Sequence, residues 1–308
     1  KVIIHVKNIH IIGIYSMDNN KALKYRKQLP SLNNFNIIEL YNLPQYFGWV
    51  DYYVDKENKI FMFLGGNDDG VALRCFWNSQ YEKKTLQIWA KLSSIEGIII
   101  DIGAHSGIYS LTANKSIIHG AVLSFEPHFL NFSRLNLNLR ANGFSTKTIF
   151  MNAVGQRNEI LPFSVNQNTD YLTSGGKIGK IKNQKSSPIQ TIAIDNFLDQ
   201  IAKKNIKVIK IDVEGHEYQC LLGMSETIQL SNPIIFFECM SLKDNTEIEL
   251  FLKKEKYIIF IIDDIEGSIK LTESLFPIFD SNNKIIHEKI NRIAVPENKV
   301  DMFNKIFQ

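Results

Sequence analysis

Two short clusters hold the residues best suited to chemistry. The first is Asp101-Ile102-Gly103-Ala104-His105-Ser106-Gly107, set between an apolar run and an apolar-rich segment with helical spacing. Glycines there allow a tight turn and a close backbone approach to a ligand, and the helix that follows offers unpaired amides at its N-terminus. Glu126 ends the next apolar run, 19 residues beyond Gly107. That is the distance at which nucleotide-binding α/β folds place a carboxylate on ribose hydroxyls, so loop and carboxylate together predict a nucleoside-type cofactor.

The second cluster is Asp212-Val213-Glu214-Gly215-His216, which closes another apolar run, with Glu238 closing the one after it. If Gly215 forces a turn, Asp212, Glu214 and His216 face one cleft. Glu214 or His216 then takes a proton from an acceptor while Asp212 orients the cofactor or the base. His216 is the preferred base because imidazole titrates near neutrality. Plainer roles compete: an Asp212 ion pair with Lys210, capping of the following helix, or a surface histidine at a helix N-terminus.

Other chemistries find less support. Asp212 and Glu238 on one rim would suit Mg²⁺ with several waters, but with a histidine available as base and no obvious third ligand, a metal-free reaction is expected. His5, His10, His119, His128 and His287 are scattered, without a His-x-x-x-His spacing. Cys75, Cys220 and Cys239 are odd in number with no Cys-x-x-Cys pair, which argues against a disulfide framework or thiolate zinc and for free thiols in a reducing cytosol. The net charge of +3 is too small to suggest nucleic acid, and 44% hydrophobic with 22% charged residues excludes a wholly disordered, collagenous or coiled-coil chain. No apolar stretch approaches the roughly 18–20 residues of a membrane span. A cytoplasmic protein is therefore expected.

The elements that must position these residues begin with two β-prone runs, 49–54 and 59–64, flanking Asp55-Lys56-Glu57-Asn58, which reads as a hairpin. Asp68 and Asp69 start a helix through Ala72 and Phe76, and Thr85 to Leu92 has helical spacing. From Gly97 strands alternate with helices, the pattern of a parallel sheet covered on both faces. Strands are expected at 98–101, 121–125, 148–154, 208–212, 234–238, 257–262 and 290–295, with a short one near 161–165. A helix over 129–141 stops at Asn142-Gly143. Residues 166–188, rich in Gly, Ser and Lys, read as a mobile segment over the acceptor site. Lys177, Lys180, Lys182 and Lys185 within it read as solvated.

The loop lacks the middle glycine of a dinucleotide fingerprint and has the Asp-x-Gly-x-x-x-Gly form used for S-adenosylmethionine. YEKKTLQIW (81–89), IIIDIGAHSGIYS (98–110), SFEPHFLNFSRLNLNL (124–139) and above all IKIDVEGHEYQCLLG (209–223) resemble the FkbM-type family of S-adenosylmethionine-dependent methyltransferases. TIAIDNFL (191–198), IIFFE (234–238) and NRIAVP (291–296) extend the likeness over roughly residues 68–300. The resemblance implies an α/β, Rossmann-like, seven-stranded class I methyltransferase sheet, mostly parallel with one reversed strand. Residues 1–67 form an N-terminal extension with a hairpin, and 68–308 the catalytic domain.

It also implies methyl transfer to a hydroxyl of a sugar or polyketide-like acceptor, a small molecule or glycan. The cofactor contacts it implies are Glu82, Asp101, Gly103, Ala104, His105, Gly107, Glu126, Pro127, Asn152, Ala153 and Asp212. Asn152 and Ala153 would lie near adenine, and Tyr81-Glu82 along the active site, although Glu82 would also serve as a helix cap. Two rivals stand beside this reading: an N-methyltransferase of nucleic acid or protein, which would carry Asn or Asp-Pro-Pro-Tyr where this chain has Asp212-Val213-Glu214-Gly215, and an inactive cofactor-binding module.

Overall fold

The structure, a computed structural model, describes residues 19–30, 33–56, 58–165, 172, 175–182, 184–240 and 242–307. His5, His10, Glu57 and most of 166–174 lie outside the described residues. The strands are β1 (Tyr46–Tyr53), β2 (Lys59–Gly66), β3 (Gly97–Ile102), β4 (Gly120–Phe125), β5 (Ile149–Phe150), β6 (Ala153–Val154), β7 (Glu159–Val165), β8 (Lys177–Ile178), β9 (Lys185–Ile192), β10 (Ile206–Ile211), β11 (Ile234–Glu238), β12 (Tyr257–Asp263), β13 (Ser268–Leu271) and β14 (Asn291–Pro296).

The central sheet runs β13-β12-β14-β11-β10-β3-β4-β5. β5, β4, β3, β10 and β11 are mutually parallel, β14 is antiparallel to both β11 and β12, and β13 pairs antiparallel with β12. The mostly parallel α/β sheet is thus as expected, but it has eight strands rather than seven: β13 folds back from β12 as a hairpin at the edge. Because β3 and β10 are neighbours while the chain leaves β3 toward β4 and leaves β10 toward β11, their carboxyl ends open a crevice at the topological switch point.

The continuous apolar runs reflect burial on both faces. Ile99 and Val208 pack into one core cluster, whereas Ile100 and Ile209, one residue on, pack into the other. Val50, Met62 and Leu64 of the β1–β2 hairpin share the first cluster with Ile99 and Leu111, so the core continues across residue 67. Polar clasps reinforce it, since Asn138 accepts from the Phe63 N–H at 2.9 Å and Asn142 from the Phe61 N–H at 2.8 Å.

The run expected as one strand at 148–154 is two. β5 joins the central sheet, and after Met151 and Asn152, β6 joins a second sheet ordered β6-β9-β7-β8. β9 is polar and exposed over most of its length and carries Pro188, tolerated because β6 pairs only with Thr191 and Ile192. Within the described part of 166–188, Lys177–Ile178 form β8 and 185–188 begin β9, and Gly176 and Ile178 line the central cleft. Among the described residues no helix is long and apolar enough to cross a membrane.

Candidate active site

The crevice at the switch point is a cleft of about 750 Å³. Its floor is the loop after β3. Gly103, His105 and Gly107 all have left-handed backbone, at φ 81°, 50° and 102°. The atoms that demand glycine belong to the protein itself: a Cβ on Gly103 would sit 1.8 Å from the Asp212 carbonyl oxygen, and one on Gly107 2.5 Å from Leu135 Cδ1. The loop amides are also engaged internally. Gly103 and Ala104 N–H donate to the Phe125 carbonyl at 2.9 and 3.0 Å, Gly107 N–H to the Ala104 carbonyl at 2.8 Å, and His105 N–H to Glu126. These four loop amides are therefore committed to the protein. The glycines instead bring the loop against β10 and the helix Phe129–Ala141.

Glu126, just past the end of β4, is 4% exposed. Its two carboxylate oxygens accept the His105 and His128 N–H groups, each at 2.8 Å, and Asn131 lies at 3.4 Å. Burial raises its pKa, partly opposed by the nearby His105 and those hydrogen bonds. A carboxylate fixed by backbone donors in this way still has lone pairs to offer the cleft, which it lines with Pro127, Asn152 and Ala153. His105 also lines the cleft, and its buried Nε2 has no hydrogen-bond partner among the described residues. Asp101 lies behind the loop. It does not line the cleft, its carboxylate accepts the Ser110 hydroxyl at 2.5 Å, and burial pushes its pKa up to about 7.

A charge cluster surrounds Lys210. That ammonium is fully buried, 3.3 Å from Asp212, 3.5 Å from Asn291 Oδ1 and 5.0 Å above the Tyr109 ring. Burial would lower its pKa, but Asp212, Glu238 and Glu82 together hold it above its ordinary value. The ion pair weighed for Lys210 and Asp212 is therefore present, though it does not remove Asp212 from the cleft. Glu82 takes the Tyr109 hydroxyl and makes no capping bond to the helix Lys83–Ser93, whose first residue it precedes in a left-handed conformation, φ 37°. Burial raises the pKa of Glu82, and burial followed by the neighbouring Asp212 raises that of Glu238 well above the carboxylate range. Lys210 was not singled out as a functional residue from the sequence; a lysine inside an apolar strand, two residues before a carboxylate, was the available clue.

The turn after β10 separates the two candidate bases. Glu214 (φ 56°) and Gly215 (φ 97°) reverse the chain so that Glu214 lines the cleft, whereas His216 does not line it and directs Nε2 against Gly155, where a Cβ would be 3.2 Å away. The structure thus brings Glu214, and not His216, to the cleft lining with Asp212. Burial, then the charge of Asp212, raises the Glu214 pKa to about 7. Among the described residues no three His, Cys, Asp or Glu side chains form a metal-binding group.

The outer wall includes Tyr81, as expected, with residues not anticipated from the sequence. Asn34, Phe35, Asn36 and Ile37 line it with Arg74, Asn78, Gln80 and Tyr81, as do Ile285, Ile286 and His287 from the segment before β14.

Residues 101–259, just over half of the chain, match the Methyltransferase FkbM domain. The chain is 31% identical over 136 residues to the hexuronic acid methyltransferase AglP of Haloferax volcanii, a match covering 44% of this chain and 51% of that protein. It thus spans about half the length of this curated relative. Among solved structures, a Methyltransferase FkbM from Methylobacillus flagellatus aligns at 15% identity and TM-score 0.39, covering 73% of this chain and 53% of that one. A precorrin-6y C5,15-methyltransferase from Geobacter metallireducens aligns at 12% identity and TM-score 0.40, covering 71% and 90%. With the extent of the domain match deciding the matter, the chain belongs to the FkbM methyltransferase family.

Proposed function

We propose that this protein is an S-adenosylmethionine-dependent O-methyltransferase acting on a hydroxyl of a sugar-type acceptor. One observation carries the reading: a buried Glu126, pinned by two backbone amides at a strand end, borders a cleft large enough for a nucleoside and a second molecule. The residues fit the cofactor. Glu126 would hold the ribose diol, Asn152, Ala153 and Pro127 would flank the base, and Gly103, Ala104, His105 and Gly107 would form the floor, where the orphaned His105 Nε2 lacks a partner. Glu82, Asp212 and Glu238 line the cleft with carboxyl oxygens while Lys210 does not line it, which suits a positively charged group.

When bound, S-adenosylmethionine supplies a methyl group already activated as a sulfonium. The protein's own work is to orient a hydroxyl toward it, exclude water and remove a proton. Orientation can contribute roughly 7–11 kcal/mol and a positioned base about 10²–10⁴-fold. We assign the proton to the Glu214 carboxylate, whose pKa near 7 matches neutral pH. Asp212 and Lys210 hold the rim beside it, and Asp101 supports the loop from behind. The sugar-type acceptor rests on the relative's action on a hexuronic acid. Incubation with methyl-labelled S-adenosylmethionine and a panel of glycosides, followed by mass-spectrometric location of the label, tests the reading. Label on a sugar oxygen is expected; label on nitrogen, or none on any glycoside, contradicts it.

A further inference from the structure

Arg74 stands apart in the outer wall. It lies on the helix Gly70–Asn78, which Asp69 caps by accepting the Val71 and Ala72 N–H groups at 2.9 and 3.1 Å. Its side chain runs back toward the start of that helix, where Nη1 donates to the Gly70 carbonyl at 3.2 Å. There it shares the space above Gly70 with Ile37 Cδ1. Arg74 and Tyr81 line the same cleft. Among the described residues the half-buried Arg74 has no carboxylate within ion-pair distance, whereas Arg134 is matched by Asp68 at 2.5 Å.

The wall that carries Arg74 is built rather than incidental. Asn78 accepts the Phe35 N–H at 3.1 Å and donates to the Phe35 carbonyl at 2.9 Å, and Asn33 donates to the Trp77 carbonyl at 3.1 Å. These bonds lock 33–37 onto the Arg74 helix. A guanidinium has five N–H donors in a planar fork that matches a carboxylate, and among the described residues this one makes a single hydrogen bond. Lys83, the other strong cation lining the cleft, is exposed at its mouth and is a weaker candidate.

We infer that Arg74 is the carboxylate-binding residue of the cleft, set in a wall that lies outside the matched methyltransferase domain. The inference rests on the function proposed above, which brings two carboxylates to this cleft: that of the cofactor's methionine part, and that of a uronic acid acceptor. Both present the same chemistry to Arg74, and the test separates them.

Calorimetry on wild type, Arg74→Gln and Arg74→Lys supplies two arms. In the first, S-adenosylhomocysteine is compared with its analogue lacking the carboxylate. In the second, with S-adenosylhomocysteine saturating, methyl glucuronide is compared with methyl glucoside. Wild type is expected to prefer the carboxylate-bearing member at least tenfold in one arm. Arg74→Gln should erase that preference, leave the carboxylate-free member unchanged, and keep its circular dichroism and melting profile; Arg74→Lys should retain part of the preference. A preference that survives Arg74→Gln, or no preference in either arm of the wild type, overturns the assignment to Arg74 alone. Wild type that binds neither S-adenosylhomocysteine nor a glycoside overturns the proposed function, and this inference with it.

Discussion

Lys210→Met is the sharpest perturbation of the charge cluster. The ammonium is fully buried and 3.3 Å from Asp212, whose side chain is 28% exposed. At an effective dielectric of about 20 the pair's Coulomb energy is roughly 5 kcal/mol, much of it offset by the desolvation of the lysine. Methionine removes that desolvation cost and fills similar space, but leaves Asp212, Glu238 and Glu82 without their cation. Breaking a buried pair from one side costs about 3–5 kcal/mol, and the partial exposure of Asp212 favours the lower end, about 3 kcal/mol. For a chain of 308 residues that should lower the melting temperature by roughly 5 °C. Adding Asp212→Asn should recover part of the loss, giving a coupling of at least about 1 kcal/mol in the double-mutant cycle. Raised carboxyl pKa values favour the folded state below the unfolded value near 4 and lose that benefit as pH rises through the folded value. Lys210→Met should therefore gain stability relative to wild type when pH falls from 7 toward 5. Urea titrations at several pH values supply all three quantities. Wild-type stability in the single mutant, or zero coupling, would refute the role given to Lys210.

Further outcomes follow from the titrations of single groups. Glu214→Gln should lower kcat about 10²-fold, whereas His216→Ala should stay within a few-fold of wild type. Wild-type kcat should rise with pH with a midpoint near 7 as Glu214 ionises, and a profile unchanged by Glu214→Gln would dismiss that residue as base. Asp101, raised to about 7, should make stability fall as pH rises from about 4 to 7, by up to about 4 kcal/mol. Asp101→Asn should flatten that slope in urea titrations; an unaltered slope would show that Asp101 titrates normally.

How far the sequence could be read depended on whether a feature was set locally. β3, β4, β10 and β11 are legible because strands buried on both faces need unbroken apolar runs, and the helix Phe129–Ala141 ends where Asn142 and Gly143 stop it. β9 is not, since Lys185-Ser186-Ser187-Pro188 is exposed and polar and its strand state comes from pairing with β7. Glu126 was recognisable from its spacing after the loop, but the engagement of the loop amides depends on the Phe125 carbonyl of the next strand. The different placement of Glu214 and His216 depends on two left-handed residues in succession, which the spacing Asp212 to His216 does not specify. The Arg74 wall was illegible because Phe35 meets Asn78 43 residues away, through side-chain amides that carry no periodic signal.

The central claim is that Glu126 anchors a nucleoside cofactor at the end of β4. Isothermal calorimetry of wild type and Glu126→Ala with S-adenosylhomocysteine, and with NAD as control, tests it most directly. Charge-assisted hydrogen bonds to a ribose diol contribute about 1.5–3 kcal/mol each. Wild type should bind S-adenosylhomocysteine and not NAD, and folded Glu126→Ala should bind at least tenfold more weakly. Wild type that ignores S-adenosylhomocysteine, or a folded Glu126→Ala with unchanged affinity, would contradict the account.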